Sequence, residues 1–173
     1  YAYISALQTN GETDRALDEM NEVLKKFPKN LILNITKSEI LLSGQRLNEA
    51  QENIDQVLNI APGNYPASII KSKILSSKKE FIKAEEILRD LLISKNRDPG
   101  LWIQLSEVQR AGKNIVGYHL SRGEYYTLIG DFDNALNQFQ FALSLSGNSF
   151  QTSETIMTKI KFSKERLSRR RGF

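Results

Sequence analysis

The single histidine of this 173-residue chain, His119, lies beside Tyr118 and near Arg122 and Glu124. In a cleft, an imidazole flanked by a carboxylate and a phenol could act as a general base. The chain offers no cysteine nucleophile and no second histidine to complete a catalytic or metal-binding set. Because Arg122 and Tyr126 are one helical turn apart, we interpret the group as an interhelix hydrogen-bond cluster rather than a catalytic site.

The residue types present exclude several classes of function. Without cysteine, the chain can have no disulfide, no thiol catalysis and no cysteine-bound zinc, and with one histidine it lacks the H-E-x-x-H protease motif. A formal net charge of +4 and 40% hydrophobic residues are typical of a globular domain. We therefore predict that this chain is not an enzyme and binds no cofactor, metal ion or small-molecule substrate.

A 34-residue period organises the sequence. Alanine recurs at the same place in successive units: Ala16, Ala50, Ala84 and Ala135. The first three are 34 residues apart, and Pro28 and Pro62 share that spacing. The fourth follows the third after one and a half periods, so the register shifts by half a unit.

Apolar residues after each turn follow the i, i+3, i+4, i+7 spacing of amphipathic helices, and no segment alternates as a strand would. Phe132, Ala135, Leu136 and Phe139 form one such stripe. We predict an all-α fold in a single domain over 1–173. Its ten antiparallel helices lie near residues 1–9, 13–27, 31–43, 47–60, 65–77, 81–95, 99–111, 115–129, 132–146 and 149–168, followed by a basic tail over 169–173.

Two segments resemble the helix–turn–helix of the tetratricopeptide repeat (TPR). Residues 99–106, which contain Trp102, resemble its first helix, and residues 130–142 resemble its turn and second helix. The resemblance implies a TPR superhelix, or α-solenoid, with repeats near 1–30, 31–64, 65–98, 99–129 and, overlapping, 115–148, and a closing helix at 149–168. The marker alanines and Trp102 are then structural, because a methyl-sized side chain lets two helices approach closely. The third unit departs from the pattern, with Lys78-Lys79 at the turn glycine and Asn96 at the usual proline.

The last third of the chain is similar to one particular family of TPR-containing proteins. The similarity is found in the segments Leu101–Glu107, Tyr118–Tyr126 and Gly130–Ala135 and in a closing helix over 156–167. It resembles the C-terminal TPR domain of bacterial periplasmic zinc metalloproteases of the β-barrel assembly-enhancing type. In that family an alanine usually stands where this chain has Gly123, which we expect to allow a closer helix contact.

The metalloprotease resemblance implies a periplasmic, non-catalytic protease arm with chaperone-like work in outer-membrane protein assembly and quality control. Zinc would belong to a separate catalytic domain, and the arm would contact that domain or the assembly machinery. The chain starts at Tyr1 without a signal segment, so we expect a piece of a longer protein. The alternative is a stand-alone, cytoplasmic or envelope adapter that binds peptide segments in a multiprotein complex.

First helices of TPR pairs line the concave face of the solenoid. The repeat register places twelve side chains there, which we call the predicted groove: Ile35, Thr36, Glu39, Leu42, Ile69, Ile70, Lys73, Ser76, Ile103, Gln104, Glu107 and Arg110. This mixture suits a peptide or a partner helix held by apolar burial and a few hydrogen bonds. The alternative for the isoleucines at 35, 69 and 70 is packing against neighbouring first helices.

Basic side chains concentrate at the end of the sequence: Lys164, Arg166, Arg169, Arg170 and Arg171. From Lys159 onward, seven basic residues face one acid, which leaves a net charge of −2 on the rest of the chain. Such a segment could meet anionic lipid, an acidic protein face or nucleic acid, or could be a solvated tail. Only Phe162 and Phe173 could stack on bases, so we do not predict nucleic-acid binding. We expect membrane association, if any, through this tail alone.

Overall fold

The computed structural model describes residues 2–147 and 150–171, and over these ranges it contains ten α-helices and no β-strand. The helices are α1 (Ala2–Thr9), α2 (Thr13–Lys26), α3 (Leu31–Ser43), α4 (Leu47–Ile60), α5 (Tyr65–Ser77), α6 (Phe81–Ser94), α7 (Pro99–Ala111), α8 (Ile115–Leu128), α9 (Phe132–Leu145) and α10 (Phe150–Arg171). The all-α prediction is confirmed, and the bounds of α2 to α9 agree with the prediction to within one residue.

The helix contacts divide the chain into two compact units, and the boundary between them along the sequence falls within α6, between Ile87 and Leu88. In the first unit α1 packs on α2, α2 on α3, α3 on α4 and α4 on α5, and α3 also packs on α5. Contact between the first helices of consecutive pairs is how TPR hairpins bury their apolar stripes. In the second unit α7 packs on α8, α8 on α9, and α9 on α10. The prediction of one uninterrupted array over 1–173 stays a prediction.

The four marker alanines, Ala16, Ala50, Ala84 and Ala135, are fully buried, with no exposed fraction. In the first unit, Ala16 and Ala50 pack among larger apolar residues that include Met20, Ile40, Ile54 and Ile74, which are also fully buried. A larger side chain at a marker position would push two helices apart, because protein interiors are packed as densely as organic crystals. Burial at each marker explains why alanine recurs with the period of the fold.

The first helices of consecutive pairs begin at residues that cap them in the same way. The Asn30 side chain accepts a hydrogen bond from the Leu33 backbone N–H at 3.1 Å, and the Asn64 side chain accepts one from Ala67 at 3.0 Å. Asp98, again 34 residues on, caps α7 through the Gly100 N–H at 2.8 Å. Each cap satisfies a backbone donor that the first helical turn leaves unpaired. The 34-residue period is therefore seen in the loops as well as in the core.

The turn inside each helix pair contains one residue in the left-handed region, where glycine is favoured. Gly11 occupies this position in the first pair, with φ of 76°, and Gln45, Lys79 and Lys113 follow at 34-residue intervals with φ near 60°. Lys79 therefore adopts the glycine conformation, and the turn is retained in the unit where the sequence departs from the TPR pattern. Gly130 follows Lys113 by half a period. A turn with a left-handed residue, of the kind found inside a helix pair, therefore stands at each end of α8.

The half-period shift is stabilised by close contacts on both sides of α8. Toward α7, the Ser121 hydroxyl donates to the Gln109 side-chain carbonyl at 2.7 Å, and both residues are buried. Toward α9, Gly123 lies against the ring of Phe139, which is 1% exposed. The shared helix thus packs on both α7 and α9. The repeat bounds 99–129 and 115–148 stay a prediction.

Arg46 connects the turn before α4 to the preceding pair. Its guanidinium donates to Glu49 Oε2 at 2.7 Å and to Asp14 Oδ1 of α2 at 3.3 Å. The hydrogen bond from Arg46 is the main reason why the pKa of Glu49 lies below its ordinary value. A lowered carboxyl pKa stabilises the fold above the pKa of the unfolded chain, and this contribution is lost as the pH falls through the folded pKa.

Replacing Arg46 with glutamine should raise the pKa of Glu49 toward its ordinary value and reduce the loss of stability on acidification. A carbon-detected NMR titration of the Glu49 carboxyl measures the first effect, and urea unfolding at a series of acidic pH values measures the second. An unchanged Glu49 pKa in Arg46→Gln would contradict the assigned cause.

Candidate protein interaction surfaces

The structure separates the predicted groove of the first unit into buried and accessible residues. Ile35 and Ile69 are each 8% exposed, Thr36 is 7% exposed and Ile70 is 4% exposed. Thr36 donates its hydroxyl to the Ile32 carbonyl at 3.0 Å. Ile35 and Ile70 belong to the apolar core of this unit. These four side chains therefore support the helices and offer little surface to a partner.

The accessible residues of the predicted groove in this unit are mostly polar. Lys73 is exposed, Glu39 and Ser76 are half-buried, and Leu42 is half-buried and packs against the core. Ile32, which the sequence analysis did not select, is 69% exposed and lies two helical turns before Glu39 on the same side of α3. Because α3 packs on α5, we call Ile32, Glu39, Lys73 and Ser76 the first-unit face.

The first-unit face is continued by the first helix of the chain. Ser43 lies on the same stripe of α3 as Glu39, and the Gln8 side chain of α1 donates to the Ser43 hydroxyl at 3.4 Å. Three first helices, α1, α3 and α5, thus contribute polar side chains to this part of the molecule. An exposed isoleucine on the same side of α3 as a carboxylate, with an ammonium group on the adjacent α5, suits a peptide with one apolar and several polar side chains.

In the second unit, the predicted groove residues Ile103, Gln104, Glu107 and Arg110 lie on α7. Ile103 and Gln104 are half-buried, whereas Glu107 and Arg110 are exposed and form an ion pair at 2.7 Å. The hydrogen bond that Arg110 donates to Glu107 raises the pKa of Arg110 above its ordinary value. Within residues 88–147 and 150–171, the Gln104 side-chain carbonyl is buried without a hydrogen-bond partner.

Trp102 makes a structural contact at the start of α7. Its indole Nε1 donates to the Asn96 backbone carbonyl at 2.7 Å, and the side chain is half-buried. This bond closes the loop before α7 at the position where the TPR pattern usually has proline. The Trp102 side chain therefore fixes the loop before α7, which has Asn96 in place of the more rigid proline.

His119 forms the interhelix contact that its surroundings predict. Its ring Nδ1 lies 2.8 Å from Gln138 Oε1 of α9, and its ring is tilted against Phe141 with centroids 5.4 Å apart. Arg122 donates to the Tyr126 hydroxyl at 2.7 Å, and its guanidinium lies 5.1 Å from the Tyr126 ring centroid. The contacts of His119 therefore join α8 to α9, whereas the Arg122–Tyr126 hydrogen bond lies within α8.

Metal-binding and membrane-spanning features are both missing from the part of the chain that the structure describes. No group of three or more histidine, aspartate or glutamate side chains there could hold a metal ion. None of the ten helices over those residues is both long enough and apolar enough to cross a lipid bilayer.

The basic segment is helical rather than a separate tail, because α10 continues to Arg171, three residues beyond the predicted end. Lys164, Arg166, Arg169 and Arg170 are exposed on it. The last two residues of the predicted tail, 172 and 173, lie outside the described residues. The continuation fixes the arginines relative to α9, on which α10 packs.

The chain is similar in fold to solved TPR structures. MamA from Desulfovibrio magneticus RS-1 aligns with a TM-score of 0.65 at 13% identity, covering 96% of this chain and 92% of that one. A TPR protein from Parabacteroides merdae gives 0.57 at 18% identity, covering 93% and 68%. A thermophilic TPR protein from Thermus thermophilus gives 0.56 at 18% identity, covering 92% and 96%. No family model and no curated protein matches the sequence. The fold of the chain is thus of the TPR type.

Proposed function

We propose that the chain is a non-catalytic scaffold that binds other proteins through the exposed side chains of its first helices. The observation that carries this proposal is the first-unit face, where Ile32, Glu39 and Lys73 remain accessible on two helices that pack together. The side chains buried beside them keep these helices in register. A fold shared with TPR proteins supports the same role, since stacked helical hairpins present extended surfaces for partners.

The proposal is tested by reversing the charges of the first-unit face. Glu39→Lys combined with Lys73→Glu leaves the net charge unchanged but exchanges the positions of the two charges. We expect this double variant to lose at least about tenfold in affinity for its partner. Each reversed side chain would face a like charge of the partner and would lose its water shell without gaining an ion pair. Quantitative affinity capture from cells that express the full-length protein measures the loss.

A matched control exists on the second helix of the first pair. Glu19 and Lys26 are both exposed on α2, two turns apart, and can be exchanged in the same way. Glu19→Lys with Lys26→Glu should leave capture unchanged, and circular dichroism should show equal helicity in both double variants. Equal capture by all three proteins would refute binding through the first-unit face.

The finer proposal is that this scaffold is the C-terminal arm of a periplasmic zinc metalloprotease with chaperone-like activity in outer-membrane protein assembly. The resemblance over Leu101–Glu107, Tyr118–Tyr126 and Gly130–Ala135 supports it. The zinc would belong to the catalytic domain, and this chain would hold none. The alternative role is a stand-alone TPR adapter that binds peptide segments in a multiprotein complex.

The coding sequence upstream of Tyr1 separates these two roles. The protease role requires a secretion signal and an H-E-x-x-H motif, and a full-length product that contains zinc and cleaves unfolded β-barrel protein until a chelator is added. An upstream sequence without that motif, or a product without zinc, would leave the adapter role.

A further inference from the structure

A recess of about 410 Å³ lies between the start of α9 and the end of α10. It is lined by Gly130, Phe132, Arg166, Arg169 and Arg170, and most of its surface is carbon. The Phe132 ring meets the Phe162 ring edge to face, with centroids 6.2 Å apart. The Phe132 ring therefore forms the aromatic floor of a shallow, open recess whose other side chains are three arginines.

Two of the three guanidinium groups at the recess are positioned by contacts with uncharged groups. Arg166 lies over the Phe162 ring at 4.9 Å from its centroid, and Arg170 donates weakly to the Gly130 carbonyl at 3.5 Å. Among the residues that the structure describes, no carboxylate forms an ion pair with Arg166, Arg169 or Arg170. Lys159, two helical turns before Arg166, is by contrast paired with Glu124 of α8. The positive charge at the recess is thus available to a ligand.

We propose that this recess binds an acidic peptide segment of a partner protein, with one apolar side chain on the aromatic floor and carboxylates on the arginines. Arginine suits this task, since its planar fork donates two parallel hydrogen bonds to a carboxylate. Exposed ion pairs alone contribute little affinity. Burial of an apolar side chain on the aromatic surface between the arginines would supply the rest. The site is separate from the first-unit face and does not depend on it.

The surroundings of the recess favour a short acidic segment over a nucleic acid or a membrane. The three arginines lie within about one turn of α10, which is shorter than the basic stripe along which a nucleic-acid backbone is bound. Phe132 and Phe162 pack edge to face on each other, so they do not form a row of parallel rings on which successive bases could stack. A peptide can place its carboxylates on the arginine side alone.

Fluorescence anisotropy with a labelled peptide tests the site in the intact chain. The probe contains one phenylalanine flanked on each side by two aspartates, and its binding is compared between two double variants. Arg166→Glu with Arg169→Glu reverses two charges at the recess. Lys161→Glu with Lys164→Glu makes the same change in net charge on the opposite side of α10, where both lysines are exposed.

We expect the arginine double variant to lose about tenfold or more in affinity at low salt, and the lysine double variant to lose less than about threefold. Replacing the probe phenylalanine with alanine, or its aspartates with asparagines, should weaken binding to the wild type about as strongly as the arginine variant does.

Equal losses in the two double variants would overturn the proposal, because they would show attraction by net charge alone. Tighter binding of a single-stranded oligonucleotide or of phosphatidylserine vesicles than of the peptide would overturn it as well. Retention of the native helicity by circular dichroism in both double variants ensures that a loss reports on the site.

Discussion

Replacing Phe139 with alanine is expected to lower the free energy of unfolding by about 3–5 kcal/mol, the range for large apolar residues removed from a packed core. Phe139 is 1% exposed and packs with Ala135, Ala142 and Ile156, so its ring connects α9 to α10 as well as to α8. Its removal leaves a cavity that three helices would have to close. Urea unfolding followed by circular dichroism measures the change.

A control for this prediction lies two residues away on the same helix. Phe141 is 54% exposed and contacts the His119 ring, so Phe141→Ala should lower the free energy of unfolding by about 1 kcal/mol or less. Equal losses in the two variants would show that Phe139 is not the core residue that its burial indicates.

Replacing Gly123 with alanine is expected to destabilise the protein by about 1–3 kcal/mol, as overpacking does, even though alanine favours a helix interior by about 1 kcal/mol over glycine. A β-carbon at Gly123 would lie 2.6 Å from Cδ1 and 2.7 Å from Cζ of the Phe139 ring. Those distances are too short for carbon atoms, and a fully buried ring cannot move aside freely. The closer helix contact expected from this glycine is therefore an aromatic ring packed directly on the backbone of α8.

A double-mutant cycle separates the clash from any other effect of the alanine. In the background of Phe139→Ala the ring is absent, so Gly123→Ala should no longer destabilise and should restore part of the lost stability. Gly100→Ala is the control in α7, because a β-carbon there would meet only the Asp98 carboxylate oxygen, at 3.0 Å. The interpretation would be wrong if Gly123→Ala cost the same stability with and without the ring.

The sequence predicted the helices and their period well because both depend on local, repeated features. Apolar spacing sets the face of each helix, and glycine, proline and asparagine set its ends, so the bounds of α2 to α9 were within one residue of those observed. The buried alanines followed from their spacing. The N-caps at Asn30, Asn64 and Asp98 carried an equally regular signal, which a search at the 34-residue period would have found in the loops.

The candidate surfaces were harder to predict, because a helix that contacts neighbours on several sides leaves only a narrow exposed stripe. The repeat register placed Ile35, Ile69 and Ile70 in the predicted groove, but the neighbouring helices bury them. Ile32 was missed because exposure there depends on where those neighbours end. The arginine recess combines the start of α9 with the end of α10, and no spacing within one helix predicts that these two ends lie together.

Site-specific photo-crosslinking tests the scaffold proposal most directly. A benzophenone side chain would replace Glu39, Lys73 or Glu107 on the first helices, or Glu19 or Lys26 on α2 as controls, in cells that express the full-length protein. We expect discrete protein adducts from the first-helix positions and none from the α2 positions. Adducts of equal yield at all five positions, or none at any first-helix position, would contradict a scaffold that binds proteins through its first helices.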